Sequence, residues 1–284
     1  MEDRSDAKPR ETPAEPPPGI APQPGARPEV TVILPNFRTP EITTICLRLL
    51  RRHTDPRRIR VIVVDNASGD ASVEYLRQVE WIRLIEREVP EGEPGYIMHA
   101  KALDLAFAEV DTPYVMIMHT DTLILDDGWL DYLLGEIRRD DSIAGVGSWK
   151  LEEPPSPIGR FFKSAETLVR KLLRRRQKND RYLRSHCALY RTDLLRRHTA
   201  GFFDGKSAGR SLHHKLIAAG YRMIFLDSEI LGRYLCHLNH ATMILNPRDG
   251  DRKTARRATR RKLSEQIRRA EFLDILNHPE LDRY

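Results

Sequence analysis

Apolar residues in this chain come in short unbroken runs, each followed by a polar cluster and then by a stretch whose apolar positions recur three and four apart. Residues 30–34 (VTVIL) form the first run, closed by Pro35, and PEITTICLRLLRRH behind it carries the spacing of a helix. Residues 61–64 (VIVV) form the second, ended by DNASGD, with Tyr75 and Leu76 in a helical stretch beyond. The alternation continues through 82–85, 97–110, 114–118 and 129–137 to another run at 143–146. Strands this uniformly apolar, alternating with helices, predict an α/β domain whose parallel sheet is covered on both faces. In open sheets of this kind ligands bind beyond the carboxyl ends of the strands. Three polar clusters fall at such ends: PNFR (35–38), DNASGD (65–70) and HTDT (119–122).

With 284 residues, 40% of them hydrophobic, the chain can bury one substantial core. It contains no apolar run of the roughly 18 residues that a membrane-spanning helix needs. Residues 1–28 hold eight of the 19 prolines and little apolar surface, so they read as a disordered leader and not as a secretory signal. Three cysteines, Cys46, Cys187 and Cys236, without a CxxC spacing suit a reducing compartment, and a cytoplasmic location is expected.

The formal charge of +6 is unevenly placed. Residues 252–269 carry nine basic groups and one acid, and 160–178 carry eight and one, which leaves the rest of the chain acidic. That argues against a basic groove through the core and for peripheral contact with something anionic, and no specific nucleic-acid partner is expected. In the 160–178 stretch, Phe161, Phe162, Ala165, Leu168, Val169, Leu172 and Leu173 share one helical face. Such a basic amphipathic helix either packs its stripe on the domain or lies on an anionic membrane at the inner face. Residues 252–269 have a thinner apolar face and read as a solvated helix, or as a contact for membrane phosphates or another subunit.

The segments VTVILPNFRTPEITTICLRLL, VIVVDNASGDAS and YVMIMHTDTLILDDGWL, in this order, resemble the nucleotide-binding half of the inverting family 2 glycosyltransferases. SHCALYRTDLL, GFFDGK and LIAAGYRMIFL are similar to that family's acceptor half, and a late histidine follows in YLCHLNH. The resemblance covers residues 29–245. It implies a GT-A fold, a Rossmann-like, doubly wound mixed sheet in a single domain. The leader 1–28 is then followed by a nucleotide-sugar half (29–150), a basic insertion (151–180), an acceptor half (181–246) and a basic helical extension (247–284).

The activity implied is transfer of a sugar from a nucleotide-diphosphate donor to a hydroxyl on a glycan, lipid or small-molecule acceptor. The developing charge of the leaving diphosphate calls for a divalent cation, Mn2+ or Mg2+. The family holds it with an Asp-x-Asp element, and HTDT occupies that position. Asp121 matches the metal-binding aspartate, while His119 replaces the first, softening an oxygen site in favour of manganese. The plainer alternative is that His119 fills a strand end and Asp121 caps a turn. A late histidine completes the metal site in the family. His240 fits by position, His237 is the alternative, and strand alternation favours only one of them.

The resemblance places Pro35, Asn36, Arg38, Asp65, Asn66, Ser68, Lys101, His119, Thr120 and Asp121 around the donor. Asp65 would accept hydrogen bonds from the nucleoside. Asn66, Ser68 and Asp70 equally suit a tight turn. Phe37 is expected in the core, and Lys101, with His99 nearby, is either a diphosphate contact or a solvated surface group. Asp126 and Asp127 are expected to cap the helix that follows. Trp149, Lys150, His186 and Cys187 would flank the acceptor, Trp149 equally suiting core filling.

The chain departs from the family where the catalytic base belongs. The Glu-Asp pair upstream of the glycine falls on Ala208 and Gly209. Asp204, His213 and His214 are the nearby substitutes, the histidines with an ordinary pKa of about 6.5. The remaining alternatives are an acceptor that needs no base, a protein that binds sugar nucleotide without turnover, and a membrane or nucleic-acid adaptor that uses the basic stretches.

Overall fold

The computed structural model describes residues 27–149, 181–205, 208–238, 241–246 and 257–284. The predicted strands form as β1 (Val30–Asn36), β2 (Ile59–Asp65), β3 (Ile82–Glu86), β4 (Tyr114–Met118) and β6 (Ile143–Gly147), with β5 (Thr122–Ile124) between the last two. Helices α1 (Pro40–Arg52), α2 (Ala71–Leu76), α3 (Gly95–Ala108) and α4 (Trp129–Arg138) separate them. The second half adds β7 (Cys187–Arg191), α5 (Thr192–His198), α6 (Arg210–Ala218), β8 (Arg222–Phe225), α7 (Ser228–Tyr234), β9 (Leu235–His237) and α8 (Ala241–Leu245). Helices α9 (Arg257–Ile267) and α10 (Ala270–Ile275) and a 3-10 turn (Pro279–Asp282) follow.

Seven strands make one sheet in the order β3-β2-β1-β4-β7-β6-β8, and β5 pairs with β9 in a separate ribbon. The sheet is mixed and not wholly parallel, because β7 runs antiparallel to both β4 and β6. A strand of the second half therefore sits between two strands of the first, and the halves share one core. Gly147 permits this insertion, since a Cβ there would stand 2.4 Å from the Cys187 carbonyl oxygen. Pro35 does not end β1 as the sequence suggested. Pairing of β1 with β4 stops at Ile33 and Ile117, so the missing N–H at Pro35 lies beyond that ladder, while β1 and β2 stay in register to Asn36 and Asp65.

Alternation along the central strands divides the core by face. Val32, Leu34 and Met116 point to a layer containing α1, α4 and the last helices; Ile33, Val115 and Ile117 point to one containing α3, α5 and α6. The C-terminal extension is helical as expected but is not a solvated appendage. Leu263, Ile267, Phe272 and Ile275 are buried in the first layer, leaving the basic side chains of α9 that the structure describes on its outer face. Beneath them Arg48 of α1 is 7% exposed and donates to both carboxylate oxygens of Asp282, at 3.0 and 2.6 Å, and to the carbonyls of Ile275 and Leu276. Tyr75 Oη and Trp81 Nε1 add bonds to Asp282 and Leu281. The expected insertion 151–180, its amphipathic stretch, Lys150, His240 and most of the leader lie outside the described residues.

Candidate active site

Two loops at adjacent strand ends are tied into one polar scaffold. Asp65 Oδ1 accepts from Asn36 Nδ2 at 2.7 Å and Ser68 Oγ at 2.5 Å, and Oδ2 accepts from the Ser68 amide at 2.9 Å. Thr43 Oγ1 donates to Asn36 Oδ1 at 2.7 Å, so the amide of Asn36 is oriented from both sides. Ser68 Oγ also receives the Arg38 amide, and Arg38 Nε donates to the Ser68 carbonyl, both at 3.0 Å. Within this cross-tie Arg38 and Ala67 adopt left-handed backbone, with φ of 49° and 53°, at a cost of about 1–3 kcal/mol each. Asp70 acts in the turn, its carboxylate accepting from the Ser72 amide to cap α2. Phe37 is not core residue packing as expected. It is half-buried in neither layer of the core, and the Arg38 guanidinium lies 5.1 Å from its ring.

The end of β3 contributes a part that the sequence reading passed over. Arg87 donates to Asn66 Oδ1 at 3.1 Å and to Glu93 at 2.6 Å, and Glu93 also receives Lys101 Nζ at 2.6 Å. Lys101 is thus an exposed ion-paired group, tied to the scaffold through Glu93 and Arg87. The rule applied to the other strand ends, extended to EREVPEGEPG, would have found both.

Where β4 ends, the HTDT segment meets β9. Asp121 is buried at 3% exposure, and its Oδ2 accepts from the Ala241 amide at 2.9 Å. Its Oδ1 faces His237 Nε2 at 3.2 Å and His119 Nδ1 at 3.6 Å. The pairing of Thr122 with His237 across β5 and β9 brings a late histidine in, so among the described residues the late histidine beside Asp121 is His237. His119 Nε2 contacts Ser185 Oγ at 3.0 Å, fixing the ring with Nδ1 toward the carboxylate. Burial pushes the Asp121 pKa up, but the imidazoles of His237 and His119 outweigh it and hold the carboxyl well below the usual range. Thr120, between them in sequence, is buried.

These three side chains fit a divalent cation. One ligand atom from each lies within 4.8 Å of the others, and both Asp121 Oδ1 and His237 Nε2 are buried without a hydrogen-bond partner. The two atoms face each other at 3.2 Å without a well-formed hydrogen bond, and a cation would accept a lone pair from each of them and from His119. One carboxylate and two imidazoles are a borderline donor set for a divalent cation.

A wall of imidazoles encloses this point. His186 stacks on His237 with ring centroids 4.5 Å apart, and Ser148 Oγ lies 2.6 Å from His186 Nε2. His99 of α3 meets His119 edge to face at 4.9 Å. Burial, then the neighbouring His237 and His119, push His186 down to about 2; burial, then His119, push His99 down to about 3. Both rings are therefore neutral. Trp149, half-buried and outside both core layers, stands beside Arg184 and Tyr182.

The three proposed bases have different surroundings. Asp204 is exposed, and its Oδ2 accepts from the Ser211 amide in the first turn of α6. His214 is also exposed. His213 does not keep the ordinary pKa expected of it: it is 1% exposed, its Nδ1 accepts from the Leu183 amide at 3.4 Å, and burial, then His214, lower it to about 4. At the family's base position, Gly209 has φ +83° and precedes α6, while Ala208 bridges to Phe203. Neither acidic residue caps α4 as expected, since its N-cap is Gly128 without a side-chain bond: Asp126 accepts from the Gly128 amide in the turn before it, and Asp127 contacts His53.

Comparison with known proteins follows the same lines. Residues 31–199 match glycosyl transferase family 2. Similar solved structures include a mannosyltransferase from Pyrobaculum calidifontis in complex with GDP-Man and Mn2+, 23% identical, covering 74% of this chain and 58% of that one, with a TM-score of 0.53. Another is TarS 1-349 of S. aureus, 17% identical, covering 89% and 72%, with a TM-score of 0.49. A third is glucosyl-3-phosphoglycerate synthase from Mycobacterium tuberculosis in complex with Mn2+, UDP and glucosyl-3-phosphoglycerate, 17% identical, covering 85% and 79%, with a TM-score of 0.47. The chain spans 58% of the length of the mannosyltransferase it resembles. No curated protein matches its sequence. The family match extends over more than half of the 284 residues, and the chain belongs to the family 2 glycosyltransferases, with their GT-A fold.

Proposed function

We propose that the protein moves a sugar from a nucleotide-diphosphate donor to a hydroxyl acceptor, with inversion, using a divalent cation held by His119, Asp121 and His237. The observation that carries this reading is the buried Asp121 Oδ1, which faces two imidazole nitrogens without a well-formed hydrogen bond beside the Asn36–Asp65 scaffold. Asp65 has a lone pair left on Oδ2 for the nucleoside, and the Pro35–Arg38 backbone is held rigid next to it. Lys101 and Arg87 place positive charge near the donor, balanced by Glu93 until an anion arrives. When bound, the cation neutralises charge on the leaving diphosphate.

In the inverting displacement, the acceptor oxygen attacks the anomeric carbon as the bond from that carbon to the diphosphate oxygen breaks. The acceptor proton must go to a base. We assign this role to Asp204, the exposed carboxylate in the loop before α6, ahead of His214 and of His213, whose Nδ1 is already engaged. Asp104 of α3 fixes that loop by accepting from the Phe202 and Phe203 amides.

Ala208 and Gly209 at the expected base position favour a second reading, a sugar-nucleotide binder without turnover. One experiment separates the two. Uridine and guanosine diphosphate sugars are presented with Mn2+ or Mg2+, and thermal stabilisation and donor hydrolysis are followed for the wild type and Asp121→Ala. Metal-dependent stabilisation with hydrolysis, both lost in Asp121→Ala, supports the transferase; stabilisation without turnover, even when acceptors are added, supports the binder. No stabilisation by any donor overturns both.

A further inference from the structure

Three consecutive residues ahead of β7 each direct a side chain to a different part of the site. Ser185 contacts His119, and His186 contacts Ser148. Arg184 does something the transfer reaction has not used: its guanidinium lies 4.4 Å from the Trp149 ring centroid and 4.6 Å from that of Tyr182. The two rings meet edge to face, 5.8 Å apart at 80°, so the cation sits in an aromatic corner.

We infer that Arg184 is the recognition residue of an acceptor subsite for a hydroxyl compound carrying an oxyanion, phosphate or carboxylate, with Trp149 as the adjoining face for its carbon skeleton. This rests on the transferase reading above and deepens it. Nη1 of Arg184 contacts the Tyr182 hydroxyl at 2.5 Å, while Nε and Nη2 have no hydrogen bond and the guanidinium has no carboxylate partner among the described residues. A structural arginine in this protein looks different: Arg48 places Nε, Nη1 and Nη2 on Asp282 and two carbonyls. Arg184 is half-buried and presents a fork of donors that no described residue engages at Nε and Nη2, matching an oxyanion in bidentate geometry.

The fork is also held in place beside the chemistry. The Arg184 amide donates to the Ser148 carbonyl at 3.0 Å, the Cys187 amide to the Arg184 carbonyl at 3.1 Å, and the Ser148 amide to the Cys187 carbonyl at 3.2 Å. Stacked on two rings, the side chain surrenders little further freedom when an anion binds. A neutral sugar gains no charge-assisted bond there, so selectivity for an anionic acceptor is the expected consequence.

The test uses the full-length protein with Mn2+ and a saturating nucleoside diphosphate, and measures affinity for methyl glucoside, glucuronate and glucose 6-phosphate. Phosphatidylcholine vesicles with and without phosphatidylglycerol form a further arm. We expect at least one oxyanion probe to bind about tenfold tighter than its neutral counterpart, with the preference lost in Arg184→Gln and largely lost in Arg184→Lys. A preference confined to the vesicles identifies a lipid-linked acceptor, and one confined to the soluble probes a free acceptor. Should Arg184→Gln fail to fold, Arg184→Met keeps an unbranched stem between the rings and carries the same expectation. Equal binding of neutral and anionic probes, or a preference that survives loss of the guanidinium, overturns the subsite. Failure of the nucleoside diphosphate to bind overturns the transferase reading instead.

Discussion

Nε2 of His237 stands 3.2 Å from Oδ1 of Asp121, and both atoms are buried without a hydrogen-bond partner, although 116 residues separate them in the chain. The other oxygen of Asp121 is occupied by the Ala241 amide, so the carboxylate has one structural and one functional oxygen. Asp121→Asn keeps a group able to accept from Ala241 but removes the charge. We expect wild-type protein to be stabilised by Mn2+, by about 2.7 kcal/mol at a hundredfold excess over Kd, and Asp121→Asn to lose that increment in a thermal titration.

His119 presents Nδ1 to the same oxygen with its other nitrogen on Ser185. His119→Asp restores a hard oxygen donor. The ratio of Mn2+ to Mg2+ affinity, read by calorimetry, should fall in this variant relative to wild type. An unchanged ratio would remove His119 from the ligand set.

If Asp204 takes the acceptor proton, Asp204→Asn lowers kcat about 10²-fold or more. Asparagine still accepts from the Ser211 amide, so the unfolding midpoint should stay close to that of wild type. Transfer at a wild-type rate would return the role to His214.

Gly201 has φ +125°, and a Cβ on it would stand 2.3 Å from Asp104 Oδ1. Gly201→Ala must therefore disrupt the two amides that Asp104 holds in the loop leading to Asp204. A loss of stability of about 1–3 kcal/mol in urea titration, together with reduced turnover, is the expected result.

His213 is buried neutral, with its pKa lowered to about 4. Its unfolded pKa is higher, about 6.5, so the unfolded chain binds the extra proton between these values. Its contribution to stability is fully present above pH 6.5 and is lost as pH falls toward 4, by up to about 1.4 kcal/mol for each pH unit. His213→Gln should flatten the stability-against-pH curve across that window by one proton.

Much of the fold was legible because the central strands β1, β2, β4 and β6 are buried almost throughout and followed by polar turns; 114–118 matches β4 residue for residue. The reversed β7 was not, since periodicity carries no strand direction. Asp121 and His119 were visible at a strand end, but the choice between His237 and His240 depends on the β5–β9 ribbon, whose three-residue strands leave little pattern. Asp65 and Asn36 were visible as polar residues, although their bonds to each other and to Ser68 depend on register between β1 and β2. Arg87 was missed because the strand-end rule was not extended to β3, and Phe37 was misplaced because its side chain lies on a loop that leaves the sheet.

The clasp between Arg48 and Asp282 also orders events in time. Helix α1 forms from residues near the start of the sheet, yet its arginine finds a counter-charge only 234 positions later. During synthesis β1 and β2 emerge long before the segment that covers their outer layer, and until it arrives Arg48 lacks the carboxylate that pairs it in the finished fold. Docking of the 257–282 segment is therefore expected to complete the cover of this layer, because Arg48 has its counter-charge and α1 these apolar neighbours only once that segment is in place.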